Sequence, residues 1–575
     1  MEQSFVERIN LVYKSTDSSR SEETELPFRL LVLGNFSGAS DEREIDEQCY
    51  HEIRNGHIDT LMAGVRPRLR LSLPNRLLDG AKDTLAVELE FETLRDFEPD
   101  NVLRKIPLTR QLLELREHLL ALADGKTLAE SLHGDFLQAL GLAQASRDAL
   151  AGNLDFHIAE IDLRLSRQWD ALLAEAAWRE LESAWRGLSF LAQRTRYEEN
   201  CRLSVLDVSK ENLASDFDDC ADVTQSALYQ RVYTAEFGQF GGQPYGALIA
   251  DYAFGPGARD IRLLQQLASV SAMAHAPFIA AAAPAFFGIE TYAELARLRD
   301  LRSHFQQPRF AKWNGLRESE DARYIALTLP RFLLRKPYDT GDERIMGFDY
   351  QASPGQEPLW GNTAFAFATR LNDSFAKYRW CASITGKEDG AVSGLAFGGQ
   401  TPAGKNTIPT EVLIADRRSA ELVEFGFLPL TLHKRDETVA FYSSRSIQKL
   451  KQFGDSPPGK EAALNHRLGA ELAYLMIVNR FSHYIKVMQR EHIGSWKNRI
   501  EVERELNDWL RQFVSDMDNP TAAVRARRPL RRAKLRIEEL EGKGDWYFIN
   551  LSITPHLKYM GSPFSLTDRG KLEKT

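Results

Sequence analysis

Five leucines, Leu108, Leu112, Leu115, Leu119 and Leu122, recur at spacings of 4, 3, 4 and 3. That places them on one stripe of a helix. A lone stripe often serves local core. This one ends a short region whose other signals are strands, so it predicts a helix docked on something larger. Arg68 to Leu73 (RLRLSL) and Leu85 to Phe91 (LAVELEF) alternate apolar and polar residues, so each strand buries one face. Phe28 to Gly34 (FRLLVLG) reads as a buried strand. Together these segments predict a compact β-rich unit closed by the leucine helix.

Ahead of that unit, Phe5, Ile9, Leu11 and Tyr13 mark residues 1–15 as a lone strand. The polar run Thr16 to Glu25 (TDSSRSEETE) reads as a flexible linker. Residues 124–155 are turn-rich and form a joint. A second helical stripe begins with Ile161, Leu165, Trp169 and Leu172 and continues through Trp178, Leu181, Trp185 and Leu188. An α/β body follows, with strands expected at Cys201–Val208 and Tyr245–Tyr252. Long helices are expected at Ile261–Ala276, Thr363–Lys377, Ala462–Arg490 and Val502–Val514. The end of the chain returns to strands at Ala533–Glu539, Trp546–Thr554 and Pro563–Thr567. The fold class is α/β, of mixed α+β character, and 575 residues suffice for about three to five domains.

A net charge of −8 argues against general nucleic-acid binding, which needs a basic face to displace counterions. Arg525 to Arg536 (RARRPLRRAKLR) is the exception, with seven basic residues in twelve. Without an aromatic stacking module it reads as an extended basic segment at a protein contact. No stretch approaches the ~18 apolar residues of a membrane span. The run Ala274 to Gly288 is broken by His275, Pro277 and Pro284, and the N-terminus lacks the apolar core of a signal peptide. Cys49, Cys201, Cys220 and Cys381 form no CxxC pair and read as reduced thiols of a cytoplasmic protein.

Catalytic signals are weak throughout. Glu236 to Gly246 (EFGQFGGQPYG) lacks both the GK[ST] ending of a P-loop and GxGxxG spacing, so it predicts a tight turn with close backbone packing. His51 and His57 lie six apart, which suits no metal clamp. His275, among alanines, reads as a hydrogen-bonded core residue, and His483 beside Tyr484 suits either a core or an exposed face. Glu318, Glu320 and Asp321 alternate with Arg317 and Arg323, which predicts an ion-pair network. There is no GxSxG elbow and no HExxH. No catalytic residue, metal site or cofactor is expected.

Two sets of segments resemble a known family. RINLVYKS, ELPFRLLVLGNFSG and the helix PLTRQLLELREHLLAL are similar to the small subunit of the type VI secretion contractile sheath. ESAWRGLSFL (182–191), YTAEFGQFGGQPYGALIADY (233–252), AHAPFIAAAAPAFFG (274–288), KWNGLRESEDARYIALTLPRFLLRKPY (312–338), LWGNTAFAFATRL (359–371), FAKYRWCASITG (375–386), PTEVLIADRRSAELVEFGFLPL (409–430), NRFSHYIKVMQREHIGSW (479–496) and RRPLRRAKLRIEEL (527–540) are similar to the large subunit. The resemblance implies a small-subunit-like region over residues 1–123, a joint over 124–160 and a large-subunit-like region over 161–575, with a strand-exchange segment at 530–575. Fusion of the two is a departure from separate subunits, and it fixes their ratio and replaces a bimolecular contact with an intramolecular one.

The implied fold is that of a contractile, phage-tail-like sheath, whose protomers exchange strands. On this sequence the donated strand is Arg8, Ile9, Asn10, Leu11, Val12, Tyr13 and Lys14. The accepting strands of a neighbour carry Leu535, Ile537, Tyr547, Ile549, Leu551 and Ile553. The leucine helix takes the role of joining the small and large regions. Implied partners are further copies in a helical polymer, an inner tube protein, a baseplate and an AAA+ recycling unfoldase. The unfoldase's helix would survive only as a remnant at Phe136–Ala143. Membrane insertion and nucleic-acid binding are not expected. The alternatives are a terminal or non-recycled element of the same machine, an enzyme on a divergent α/β fold, and a DNA-associated filament using Arg525–Arg536.

Overall fold

Phe28–Gly34 does form a buried strand, but in the middle of a sheet made mostly by residues beyond 200. The computed structural model describes residues 11–14, 23–38, 50–54, 56–77, 84–123, 154–395, 408–432, 438–491, 499–517, 521, 524, 528–539, 546–556 and 566–573. Residues 8–10 and most of the joint, with Phe136–Ala143, therefore lie outside the described residues.

In chain order the strands are β1 (Tyr13–Lys14), β2 (Glu23–Thr24), β3 (Phe28–Gly34), β4 (Tyr50–Ile53), β5 (Arg68–Pro74) and β6 (Thr84–Glu90). They continue as β7 (Cys201–Asp207), β8 (Tyr245–Phe254), β9 (Phe278–Ala282), β10 (Ile325–Leu329), β11 (Phe332–Arg335) and β12 (Leu359–Gly361). The last are β13 (Ala391–Val392), β14 (Phe427–Leu432), β15 (Val439–Phe441), β16 (Leu530–Glu539), β17 (Trp546–Pro555) and β18 (Leu566–Glu573). The helices that matter below are α1 (Pro107–Ala123), α2 (Leu154–Ala174), α3 (Ala176–Arg194), α4 (Ala258–Ala274), α5 (Thr363–Tyr378), α6 (Pro457–Gly469), α7 (Leu472–Glu491) and α8 (Arg499–Arg511).

The main sheet has nine strands in the order β13-β15-β14-β10-β9-β8-β3-β7-β4. Its centre, from β14 through β7, is parallel, while the edge pairings β14–β15, β15–β13 and β7–β4 are antiparallel. A parallel sheet is covered on both faces, so its strands read as near-continuous apolar runs. β3 shows this directly. Leu30 and Val32 enter the core that holds Trp185 of α3 and Phe365 of α5, while Leu31 and Leu33 enter the opposite core with Leu264 of α4. Arg29, also buried, donates to the hydroxyls of Tyr50 (2.8 Å) and Tyr245 (3.0 Å) and pairs with Glu236 at 2.8 Å.

The expectation of a self-contained β-rich core within residues 1–123 is therefore corrected. Its strands β3 and β4 belong to the large sheet, and the pairings described within the region are the hairpin β5–β6 and the short pair β1–β2. That hairpin buries Leu69, Leu73, Val87 and Leu89 and exposes the charged residues between them. α1 packs along α2, with Leu112, Leu115 and Leu119 buried and Leu108 half-buried. Arg116 on α1 holds Asp162 on α2 through both carboxylate oxygens, at 2.5 and 3.1 Å. The side chain of Leu122 lies outside the described residues.

Two further expectations change. Ala462–Arg490 is two helices, α6 and α7, because the main chain of Ser444 and Ser446 bonds Leu472 and Ala470 at the break. Two members of the acidic run pair with lysines outside it. Glu318 meets Lys449 at 2.7 Å and Glu320 meets Lys451, while Arg317 turns inward to the carbonyls of Ile447 and Glu424.

α3 is tied to β11 by a buried ion pair. Glu182, fully buried, accepts from Arg335 at 2.7 and 3.1 Å, from Arg186 at 2.7 Å and from the Trp178 indole at 3.2 Å. Burial alone would raise its pKa, but Arg335 and Arg186 outweigh that and hold the carboxyl below its usual 4.5. Replacing Glu182 by Gln leaves Arg335 buried without its counter-charge, so we expect a loss of about 3–5 kcal/mol in chemical denaturation. The contribution is complete above the unfolded value of 4.5 and is lost as pH falls through the lower folded value, so the gap between the two proteins should narrow only under acid.

Candidate assembly interface

The C-terminal end forms its own antiparallel sheet, β16-β17-β18, against α7 and α8. Strand alternation sorts its residues. Leu535 and Ile537 point into the core and stand opposite Leu551 and Ile549, and Ile553 stands opposite Ala533. Arg532, Lys534 and Arg536 are exposed, so the basic run, from Arg528 onward, is largely the solvent side of β16. Tyr547 lies on β17 opposite Glu539 and Leu572.

The N-terminal segment enters this same module. Leu11 and Tyr13 are buried in one cluster with Leu535, Ile537, Ile549, Leu551 and Ile553. Their attachment runs through side chains of α7 and α8. The Tyr484 hydroxyl donates to the Leu11 carbonyl (2.7 Å) and accepts from the Leu26 amide (2.9 Å). The Trp509 indole donates to the Val12 carbonyl at 2.9 Å. Tyr13 meets the Tyr484 ring edge-on at 6.0 Å, and Arg480 donates to the carbonyls of Leu26 and Pro27.

The backbone pairing is different. β1 pairs antiparallel with β2, Tyr13 opposite Thr24 and Lys14 opposite Glu23. Within one chain, and among the described residues, β1 does not join β16, β17 or β18. The stretch read as a polar linker thus contributes a strand at Glu23–Thr24. Tyr484, Trp509 and Arg480 were not singled out by sequence as anchors. Their only signal is that Arg480 and Tyr484 stand four apart, on one face of a long helix.

The chemical candidates resolve as structure. In the glycine-rich turn, a Cβ at Gly242 would collide with the carbonyls of Ala235 and Glu236, and one at Gly246 with the Phe28 ring. Arg490 caps the turn by donating to the carbonyls of Glu236 (2.9 Å) and Gly242 (2.8 Å). His275 ends α4 at φ +52° beside the Tyr324 hydroxyl, and His483 Nε2 sits 3.2 Å from the Ala274 carbonyl. Burial pushes His483 well below its usual range, as befits a neutral core residue. It also pushes the Cys201 thiol up to about 12.

A crevice of about 570 Å³ opens beyond the ends of β8 and β9, with Asp251 in its lining. Burial raises Asp251 to about 7, opposed by a hydrogen bond from Asn362 and assisted by Glu180. Among the described residues the crevice lining contains no histidine or cysteine. Among the described residues no cluster of His, Cys, Asp or Glu could hold a metal, and no helix is long and apolar enough to cross a membrane.

Tyr484→Phe removes the hydroxyl that serves both Leu11 and Leu26. We expect a local loss of about 1–3 kcal/mol, read as faster hydrogen exchange at the Leu26 amide with the main sheet unaffected.

Comparison with known proteins matches the chain in three stretches. Residues 1–154 match the type VI secretion system VipA family, residues 155–448 the EvpB tail sheath N-terminal domain and residues 461–572 the EvpB tail sheath gpW/gp25-like domain. The type VI secretion system sheath protein TssC1 of Pseudomonas aeruginosa is 38% identical over 438 residues, covering 74% of this chain and 87% of the relative. TssB1 of the same organism is 28% identical over 147 residues, covering 25% of this chain and 84% of the relative. A solved sheath tail protein from Listeria innocua shares 11% identity over 58% of each chain, at a TM-score of 0.28. The chain belongs to the type VI secretion sheath family and carries the TssB-like and TssC-like parts, elsewhere two proteins, in one polypeptide.

Proposed function

We propose that the chain is a sheath protomer, which polymerises with its own copies into a helical tube around an inner tube, on a baseplate, and shortens to drive effector delivery. One observation carries this reading. Leu11 and Tyr13 are buried on the C-terminal module, yet their main chain is held there by side chains and by β2, and among the described residues no strand of that module pairs with it. A segment held by a few side-chain bonds and a two-residue pairing separates at lower cost than a strand within a sheet, and so can be released to extend the sheet of a second copy. Residues 8–14 are the donor and β16–β18 the acceptor. Head-to-tail contacts of this kind, when they do not close into a ring, build a filament.

The rest of the chain supplies the body. The stripe from Leu108 to Leu122 fastens the small region to the large one. Shortening requires two packings of the same bodies with the exchanged strands kept, so the linker at residues 16–25 sets how far neighbours can slide. The role is structural, without catalysis, and its place is the bacterial cytoplasm. An unfoldase would recycle it only if the segment around Phe136–Ala143 is recognised.

Negative-stain electron microscopy of the full chain beside a form lacking residues 1–15 tests the reading. Hollow tubes from the full chain and dispersed particles from the truncated form are expected. Tubes from both forms would contradict strand donation by the N-terminus. Adding a few residues to the linker should permit tubes but block their shortening, and normal shortening would count against the coupling.

A further inference from the structure

The outer edge of β16 is not open. Leu535 and Ile537, two residues apart, aim their main-chain polar groups away from β17, and α8 meets all four. Asn507 accepts from the Leu535 amide at 3.0 Å and donates to its carbonyl at 2.9 Å. Glu503 accepts from the Ile537 amide at 3.0 Å, and Arg499 donates to the Ile537 carbonyl at 2.9 Å. These are the four bonds that an added antiparallel strand would make there. Arg499, Glu503 and Asn507 stand four residues apart, in one row along the helix.

The row is held rigidly. Asn507 also donates to the Glu503 carbonyl at 2.8 Å, and Leu506, Trp509 and Leu510 bury the adjoining face of α8. Nearer the start of β16, the chain leaving α8 takes over, with Ser515 bonding the Leu530 carbonyl and the Leu530 amide bonding Phe513. At the other margin of the sheet β18 is the last strand, and among the described residues no strand pairs with its outer edge.

We propose that α8 is an edge guard, a row of side chains that stands in for a strand on β16 and sends the N-terminal segment of a second copy to the β18 side. This rests on the strand-exchange reading above. A sheet with two open edges accepts a strand at either, and such edges are what proteins cover to prevent wrong pairing. A helical polymer needs each protomer to accept its neighbour in one place. The guard supplies that choice, with Glu503 and Asn507 as its specificity-determining residues.

The test uses tubes of the full chain carrying a photo-crosslinking amino acid in place of Val12, with the crosslinked peptides located by mass spectrometry. Crosslinks between copies should fall on residues 566–573. Crosslinks on residues 528–539 would overturn the guard and leave strand exchange standing. Crosslinks on neither strand would overturn both.

Hydrogen exchange in the unassembled chain provides the second readout. Asn507→Ala should speed the Leu535 amide roughly tenfold, and Glu503→Ala the Ile537 amide by a similar factor, each without the other. Glu503→Gln keeps an acceptor and should leave Ile537 slow. Unchanged exchange in both alanine variants would overturn the proposal. Should one alanine variant not fold, the other decides alone, and a fast Ile537 amide in Glu503→Gln, which keeps the acceptor, would also overturn the proposal.

Discussion

Seven successive residue pairs join β3 to β7, and β8 closes the other side of the same strand. Most of the architecture depends on that insertion. Because β3 is paired on both edges and covered on both faces, its residues divide between two cores, Leu30 and Val32 to one and Leu31 and Leu33 to the other. Removing the strand would leave β7 and β8 each with one bare edge and open both cores at once. The TssB-like part is therefore not a module resting on the TssC-like part. It completes the large sheet, and a covalent link between the two guarantees that the completing strand is always present.

The chain holds its N-terminal region in two contrasting ways. From Phe28 onward the attachment is a strand in a sheet, reinforced by Arg29 at the glycine-rich turn and by α1 on α2. Before Glu25 it is a short hairpin and a few side-chain bonds from Tyr484 and Trp509. The first kind separates only with global unfolding, whereas the second opens locally at much lower cost. A protomer that must keep its body intact while exchanging a tail with its neighbour needs this difference in strength.

Much of this was legible in sequence where a pattern has a period. The alternation of Arg68–Leu73 and Leu85–Phe91 marked β5 and β6, and the apolar stripe from Ile161 to Leu188 marked helix there but not the break that divides it into α2 and α3. What periodicity cannot carry is the identity of a distant partner. FRLLVLG announces a buried strand but not that its neighbours begin at Cys201 and Tyr245. Arg499, Glu503 and Asn507 look like a solvated helix face until the edge of β16 is laid beside them. Glu23 and Thr24 sit in a run too polar to suggest a strand, and form one because Tyr13 and Lys14 lie opposite. The family itself was readable because many separate segments match in order, whereas the site residues on residues 8–10 fall outside the described structure.

The central claim is that this one chain builds a sheath without a separate small or large subunit. Helical reconstruction by electron cryomicroscopy of tubes grown from the purified chain alone tests it most directly. The account predicts one polypeptide per repeating unit, with β3 inside its own nine-stranded sheet and residues 8–14 lying beside the C-terminal sheet of a different copy. Tubes in which residues 8–14 remain on their own chain, or a chain that forms tubes only when a separate small subunit is added, would contradict it.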